Sequence, residues 1–313
     1  MLRAVALVSL TMIPTPRAAY RIGHHRRMAG EPPLLRVKNA VIEPLPHAAR
    51  AWLVRLTALV AFLLVWWLIT ALHLVDEKFL PTPAAVWRAA VRASTWHQIA
   101  PGVPREVLGE QNYFLWEHLV ASLQRIGAGV GAAIILGPIV GFLMGTSKTI
   151  STIIEPYMNF LRALPPLGYI GLLIVWFGIG DTSKIWLLFL AAFPAIAIST
   201  ANGVQAVKQD QINAARALGA SRTQTVTRVV FPATLPEMIN GIRIAIGFAW
   251  TTVVAAELNN GIPGIGGLAY LSGQQLNSAL TIACIIVIGI TALALDALIK
   301  WIGVLVVPWK GKA

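Results

Sequence analysis

Charge is scarce in this 313-residue chain, with Asp, Glu, Lys and Arg making up only 12% of it, against roughly a quarter in an ordinary soluble domain. Hydrophobic residues make up 57%, and the mean hydropathy is +0.70. That balance excludes a soluble domain and points to a bilayer. Cysteine is all but missing. Cys284 stands alone inside the apolar run LTIACIIVIGI, which rules out an intrachain disulfide, a thiolate cluster or a thiolate zinc site, and it reads as packing. No Gly-x4-Gly-Lys-Ser/Thr phosphate loop occurs, so any nucleotide chemistry lies on another chain. His73, His97 and His118 lack metal-ligand spacing, and no Gly-x-Ser-x-Gly turn is present, so neither metal nor covalent catalysis is supported.

What is present is positive charge and long apolar runs. A formal charge of +12 and a pI near 10.4 would suit a nucleic-acid binder, but in a membrane chain the placement of Lys and Arg relative to the spans matters more than their sum. The first 50 residues are basic and Pro-rich and read as a poorly ordered extension, with no cleaved secretory signal expected. Met28, just after Arg26-Arg27, is an alternative start. The rest, 51–313, reads as one transmembrane domain with no internal duplication and no soluble catalytic domain.

A spanning helix needs about 20 mostly apolar residues, and six runs qualify: 53–75, 119–144, 150–177, 184–202, 236–258 and 279–307. The second is rich in Gly and Ala, as helix packing in lipid favours. The third is interrupted by Pro165-Pro166, which remove two backbone donors and break it near mid-depth. The expected fold is therefore an all-α membrane protein of six transmembrane helices.

Six spans put both termini on one side. Arg17, Arg21, Arg26, Arg27, Arg36, Lys38 and Arg50 before the first span, Lys310 and Lys312 after the last, and Lys208, Arg216, Arg222 and Arg228 between spans four and five make that side cytoplasmic. The opposite loops agree: Asp76, Glu77, Glu106, Glu110 and Glu117 follow span one, and NNGIPGIGGLAYLSGQQLN after span five is uncharged. PTPAAVWRAAVRAS, between spans one and two, reads as a helix on the outer surface, with Pro at its start and Arg88 and Arg92 on its polar side. Trp66, Trp67, Trp176, Trp301 and Trp309 fall near span ends and read as interfacial anchors.

One stretch does not belong among apolar runs. AARALGASRTQTVTRVVFP, 214–232, reads as a short helix, a turn at Gly219 and a second basic amphipathic segment N-capped by Ser221. Alone it resembles a DNA-reading helix-turn-helix, yet a short loop near the bilayer is badly placed to enter a major groove. The other natural role is a docking knob. Ala214, Ala215 and Ala217 let such a helix lie close against a partner, Gly219 allows a sharp turn, and Arg216 and Arg222 suit acidic partner residues.

NAARALGASRTQTVTRVVFPATLP resembles the cytoplasmic loop motif of ATP-binding-cassette importer permeases: Glu-Ala-Ala, three residues, Gly, nine residues, an aliphatic residue, one more, then Leu-Pro. Ala214, Ala215, Gly219, Val229 and Pro232 hold the pattern, while Asn213 and Phe231 replace its usual Glu and Leu. With ALPPLGYIGLLIVWFGIGDTSK, GIGGL and the ending VVPWKGK, the resemblance covers about 53–313 and is greatest to taurine, aliphatic sulfonate, nitrate and bicarbonate importers, the ending being similar to taurine-type members. It implies an importer-permease fold with a cytoplasmic coupling helix in the loop at about 204–235. It also implies a multi-pass protein of the bacterial inner membrane, a second permease copy, two cytoplasmic ATPase subunits carrying ATP and Mg, and an external binding protein. The chain itself would bind no cofactor or nucleic acid and would not be an enzyme.

Ionisable side chains inside the bilayer are functional candidates by default. Arg162 with the segment Pro165, Pro166 to Tyr169 forms one set, since broken helices line cavities and a helix N-terminus after a break can face an anion. A gate or dimer role for Arg162 is the competing reading. Arg125 and Glu257 are placed at similar depth near the outer end and read first as a structural ion pair, second as substrate contacts. Asp296 and Lys300, i and i+4 in the last span, read as mutually neutralising. The function expected is a permease for a small anion such as taurine or an aliphatic sulfonate. Alternatives are nitrate, bicarbonate or another nutrient, a stand-alone secondary transporter, which would need mid-membrane carboxylates that are nearly missing, and a membrane-tethered DNA binder.

Overall fold

The computed structural model describes residues 47–98 and 104–309. Residues 1–46 of the Pro-rich extension, Met28 among them, and Lys310 and Lys312 lie outside the described residues. Eleven α-helices occur among them, with five long and apolar enough to cross a membrane. These are α1 (His47–Ala71, apolar from Trp52), α3 (Leu115–Thr146), α6 (Asp181–Gln205), the run Arg222–Glu257 that contains α8 (Arg222–Thr225) and α9 (Phe231–Glu257), and α11 (Ser278–Val306).

The third expected span is not a helix with a mild break. It is two helices, α4 (Lys148–Ala163) and α5 (Pro166–Phe177), set at 100° to each other. Pro165 has φ −62 and ψ 128, extended as a residue before proline must be, and Pro166 takes the first helical position, where a missing N–H costs nothing. The elbow nevertheless carries the chain across. The glycines of α3 meet α6 in step, with added Cβ atoms falling 2.6 Å from Leu188 for Gly129, 2.8 Å from Ile196 for Gly137 and 2.7 Å from Thr200 for Gly141. Helices that touch in the same order run parallel, so residues 147–180 must return the chain over the full length of α3. Counted this way, α4 and α5 form the sixth crossing.

Glycine serves that interface by absence of bulk. Gly131, two residues and about half a turn round from Gly129, has no atom within 4 Å of its added Cβ, so close approach is confined to one face of α3. Helix α9 runs back along α6 with Gly241 against Ser199 and Gly203 against Thr234 and Glu237. The main core draws on α3, α6, α9 and α11 around Val130, Leu188, Ile196, Ala249, Val253 and Cys284.

Three local features add detail to the sequence reading. Among the connectors, Trp96–Gln98 (β1) pairs antiparallel with Glu106–Leu108 (β2) in a small hairpin. The uncharged segment after span five is not a plain loop: Ile265–Gln274 is a helix, α10, packed on α3, α9 and α11. The basic segment after Gly219 is not a separate recognition helix but the start of the fifth span, joined to α9 through a π-helical turn at Val226–Val230. Pro232, just beyond that turn, would clash with a carbonyl one turn back in a regular α-helix, and the widened turn relieves it. The expected connector helix is present as α2 (Pro83–Ala93), capped by Thr82, whose hydroxyl accepts from the Ala85 amide at 3.1 Å. Trp66 is held by a specific bond, its indole N–H donating to the Pro81 carbonyl at 3.0 Å.

Candidate functional site

Two places in the described chain carry unusual polar chemistry, at opposite ends of the spans. At the end where α3 begins, His118, Ser122 and Arg125 recur one turn apart and so share a face. All three are buried. Glu257, the last residue of α9, meets them with a fully buried carboxylate: Oε1 accepts from Arg125 Nη1 at 2.6 Å and from Ser122 Oγ at 2.7 Å. The first turn of α6 adds Asp181, whose carboxylate accepts from Arg125 Nε at 2.8 Å, and Lys184, 3.6 Å from Asp181 and donating to the Asn260 carbonyl at 2.6 Å.

Helix α10 is fastened by its N-terminus onto this cluster. The amide of Gly264 donates to His118 Nδ1 at 3.1 Å, that of Ile265 to Ser122 Oγ at 3.0 Å, and that of Gly266 to Glu257 Oε2 at 2.8 Å. A helix N-terminus has amides without intrahelical partners and a partial positive charge, and a carboxylate there satisfies both. Glycine is needed at 264 and 266 because an added Cβ would lie 2.7 Å from Glu257 Cδ or 2.9 Å from its Oε2. Two cations and two carboxylates make the cluster electrically balanced, so it offers no surplus charge to a passing ion. What it does is join four elements, α3, α6, α9 and α10, at one end of the bundle.

The expected Arg125–Glu257 contact is thus present, but sequence reasoning missed Ser122, His118, Asp181 and Lys184. A signal existed: the polar residues at 118, 122 and 125 interrupt one face of an apolar helix at i, i+4 and i+7. Asp181 and Lys184 gave less, being a common start to a helix.

The elbow residues make no described hydrogen bond or ion pair with this cluster, although Tyr169 packs beside Ala256, the neighbour of Glu257 in sequence. Arg162 is exposed in the last turn of α4, and no described ion pair or hydrogen bond joins it to Arg125 or Glu257. A cation there is favoured by the helix C-terminus. Pro165 is exposed and Pro166 partly buried at the turn itself, while Tyr169 packs with Ile170, Leu173, Leu187 and Ala256. The Tyr169 hydroxyl is buried without a hydrogen-bond partner in the described chain.

At the other end lies the loop singled out in the sequence. Helix α7 (Gln209–Ala217) has no buried residue. Leu218 is 90% exposed and Gly219 turns the chain with φ +83, the left-handed region. Ser221 then caps the next helix, its hydroxyl accepting from the Gln224 amide while the Gln224 side chain accepts from the Ser221 amide, a capping box. Ala214, Arg216 and Arg222 are exposed, Ala215 and Pro232 partly buried, and neither arginine forms an ion pair among the described residues. A nine-residue helix is marginal in water by itself, and this one has no core of its own.

Residues 129–312, more than half of the chain, match the family described as binding-protein-dependent transport system inner membrane component. The chain belongs to that family. It is 38% identical to the taurine transport system permease protein of Escherichia coli over 81% of this chain and 88% of that one. It is 32% identical to the nitrate import permease protein of Synechococcus elongatus over 87% and 93%, and 36% identical to the bicarbonate transport system permease protein of the same species over 60% and 68%. A solved structure described as an amino acid ABC transporter with histidines shares the fold, with a TM-score of 0.50 at 19% identity over 62% of this chain and 92% of that one. The protein is accordingly a permease subunit of an ATP-binding-cassette importer, a multi-pass membrane component whose relatives are permease subunits rather than ATPases. In this permease the six crossings supply the membrane body, the balanced cluster locks one end, and the coreless helix projects at the other.

Proposed function

We propose that this permease translocates a small sulfonate, taurine first, as half of a homodimer in the bacterial inner membrane. The observation that carries the substrate is the 38% identity, over most of both chains, to a protein named for taurine transport. Nitrate and bicarbonate are the second reading, favoured by the permeases named for those ions at 32% and 36% identity.

Helix α7 is the coupling helix. Its lack of any buried residue and the exposure of Leu218, Arg216 and Arg222 support its seating in a cleft of a cytoplasmic ATPase, with Ala214 and Ala215 allowing close approach. Two such ATPases would hold the ATP and Mg, and their closure would move the paired loops and re-aim the spans. An external binding protein would deliver substrate to the opposite end. Arg162 and the elbow from Pro165 to Tyr169 line the anion path, while Arg125 and Glu257 hold the outer end together.

Co-purification of this chain with its neighbouring ATPase and binding protein, followed by ATPase activity in lipid, tests the proposal. Stimulation by binding protein plus taurine, and not by nitrate or bicarbonate, is expected. Stable association with stimulation by another anion overturns the substrate; no association overturns the coupling role. For Arg162, substrate dependence of uptake that is identical in well-assembled Arg162→Gln removes it from the path.

A further inference from the structure

The last span holds a charge that the sequence pairing leaves uncompensated. Asp296 does bind Lys300, Oδ2 to Nζ at 2.6 Å, but its Oδ1 also accepts from Arg243 Nε of α9 at 3.0 Å. Two cations share one carboxylate, a net charge of +1. The Lys300 side chain is 57% exposed and that of Arg243 33%, and no described hydrogen bond reaches the terminal guanidinium nitrogens of Arg243. Arg243 lies 14 residues before Glu257, about 21 Å along the helix axis, and so in the half of the bilayer next to the coupling loop.

These cations form the polar wall of a groove of about 720 Å³ between α9 and α11. Its remaining lining is apolar, including Ile239, Val304 and Val307. Gly303 keeps the floor open, since a Cβ there would lie 3.2 Å from Ile239 Cγ2. The outward face of α11 continues apolar beyond it, with Val304 70% and Leu305 60% exposed. A surplus cation at this depth costs several kcal/mol without an anion or water. A charged head beside an apolar channel, opening sideways from a span, matches a phospholipid whose phosphate neutralises the cation while an acyl chain fills the channel. A second permease copy packed on this face by apolar contact alone would bury the surplus charge.

We infer that the groove between α9 and α11 is a site for one anionic phospholipid, its phosphate held by Arg243 and Lys300. This is independent of the transported substrate. The apolar channel beside the two cations suits an acyl chain, which a small free oxyanion lacks.

Native mass spectrometry of the full chain, purified in mild detergent with whatever subunits accompany it and exposed to micelles of mixed phosphatidylglycerol and phosphatidylcholine, tests this. Wild type should retain phosphatidylglycerol in preference. Lys300→Gln should lower that preference about five-fold, the worth of one basic residue at an anionic headgroup. Val304→Trp, which fills the channel without touching a charge, should lower retention of both lipids. Lys148→Gln, removing an exposed charge at the same end of the bundle, should leave the preference unchanged. Equal retention of the two lipids by wild type overturns the inference, as does an equal effect of the Lys148 and Lys300 variants. Indifference to both Lys300→Gln and Val304→Trp overturns it too. Displacement of the lipid by inorganic phosphate or taurine, where chloride at equal ionic strength does not displace it, assigns the groove to a small anion and also refutes the lipid.

Discussion

Removing Arg125 or Glu257 singly should be far worse than removing both. Arg125→Met leaves the Glu257 carboxylate, fully buried, with only Ser122 Oγ and the Gly266 amide. Glu257→Met leaves a guanidinium, also buried, with only the exposed Asp181. Breaking a buried pair from one side costs about 3–5 kcal/mol, because the remaining charge has neither water nor partner. In the double variant no buried charge is stranded. Ser122 keeps its bond to the His118 carbonyl at 3.2 Å and still accepts from Ile265, so the main loss is the acceptor for the Gly266 amide, about 1–3 kcal/mol. Two independent losses would instead sum to roughly 6–10 kcal/mol. Cys284 supplies the assay: it is the single cysteine, fully buried in the same core, and becomes reactive to a thiol-specific fluorophore only as the bundle opens. Midpoints of labelling against temperature in detergent should rank wild type, then double variant, then either single variant. A double variant as unstable as the sum of the singles would refute the reasoning, because the two side chains would then be contributing independently.

The same labelling measurement separates the glycines of α3. Gly141→Leu should lower the midpoint by overpacking, about 1–3 kcal/mol, because a Cβ at 141 already meets Thr200 at 2.7 Å, whereas Gly131→Ala, in open space, should be neutral or raise it by up to about 1 kcal/mol. Gly219→Val should cost about 1–2 kcal/mol at a residue with φ +83, felt as weaker ATPase retention on co-purification more than as a lower Cys284 midpoint, since α7 has no buried residue. Arg216→Glu with Arg222→Glu should leave that midpoint within about 0.5 kcal/mol of wild type, as surface changes do, and abolish ATPase retention; unchanged retention would remove both arginines from the contact.

Much of this was legible in the chain as written. Long apolar runs declare spans because lipid offers the backbone no hydrogen bonds, and Pro165-Pro166 had to break a helix whatever surrounds them. The turn at Gly219 and the cap at Ser221 are local, settled by residues within one turn. The angle of the elbow was not legible, because proline dictates that a helix stops and the packing of α5 on α6 and α9 dictates where the next one points. Nor was α10, whose uncharged sequence reads as loop until the polar groups that receive its N-terminus are placed.

Sequence alone determined that this is a six-crossing membrane chain with a short helix, a turn at Gly219 and a basic segment between its fourth and fifth spans, since hydropathy, helix period and turn chemistry are properties of neighbouring residues. Only the tertiary structure decided which charges meet. Asp181 joins Arg125 from 56 positions away, and Arg243 joins Asp296 from 53 positions away, turning a self-sufficient i,i+4 pair into a triad with charge to spare. Electrostatic energy depends on distance through space and on exclusion of water, and neither is set by separation along the chain.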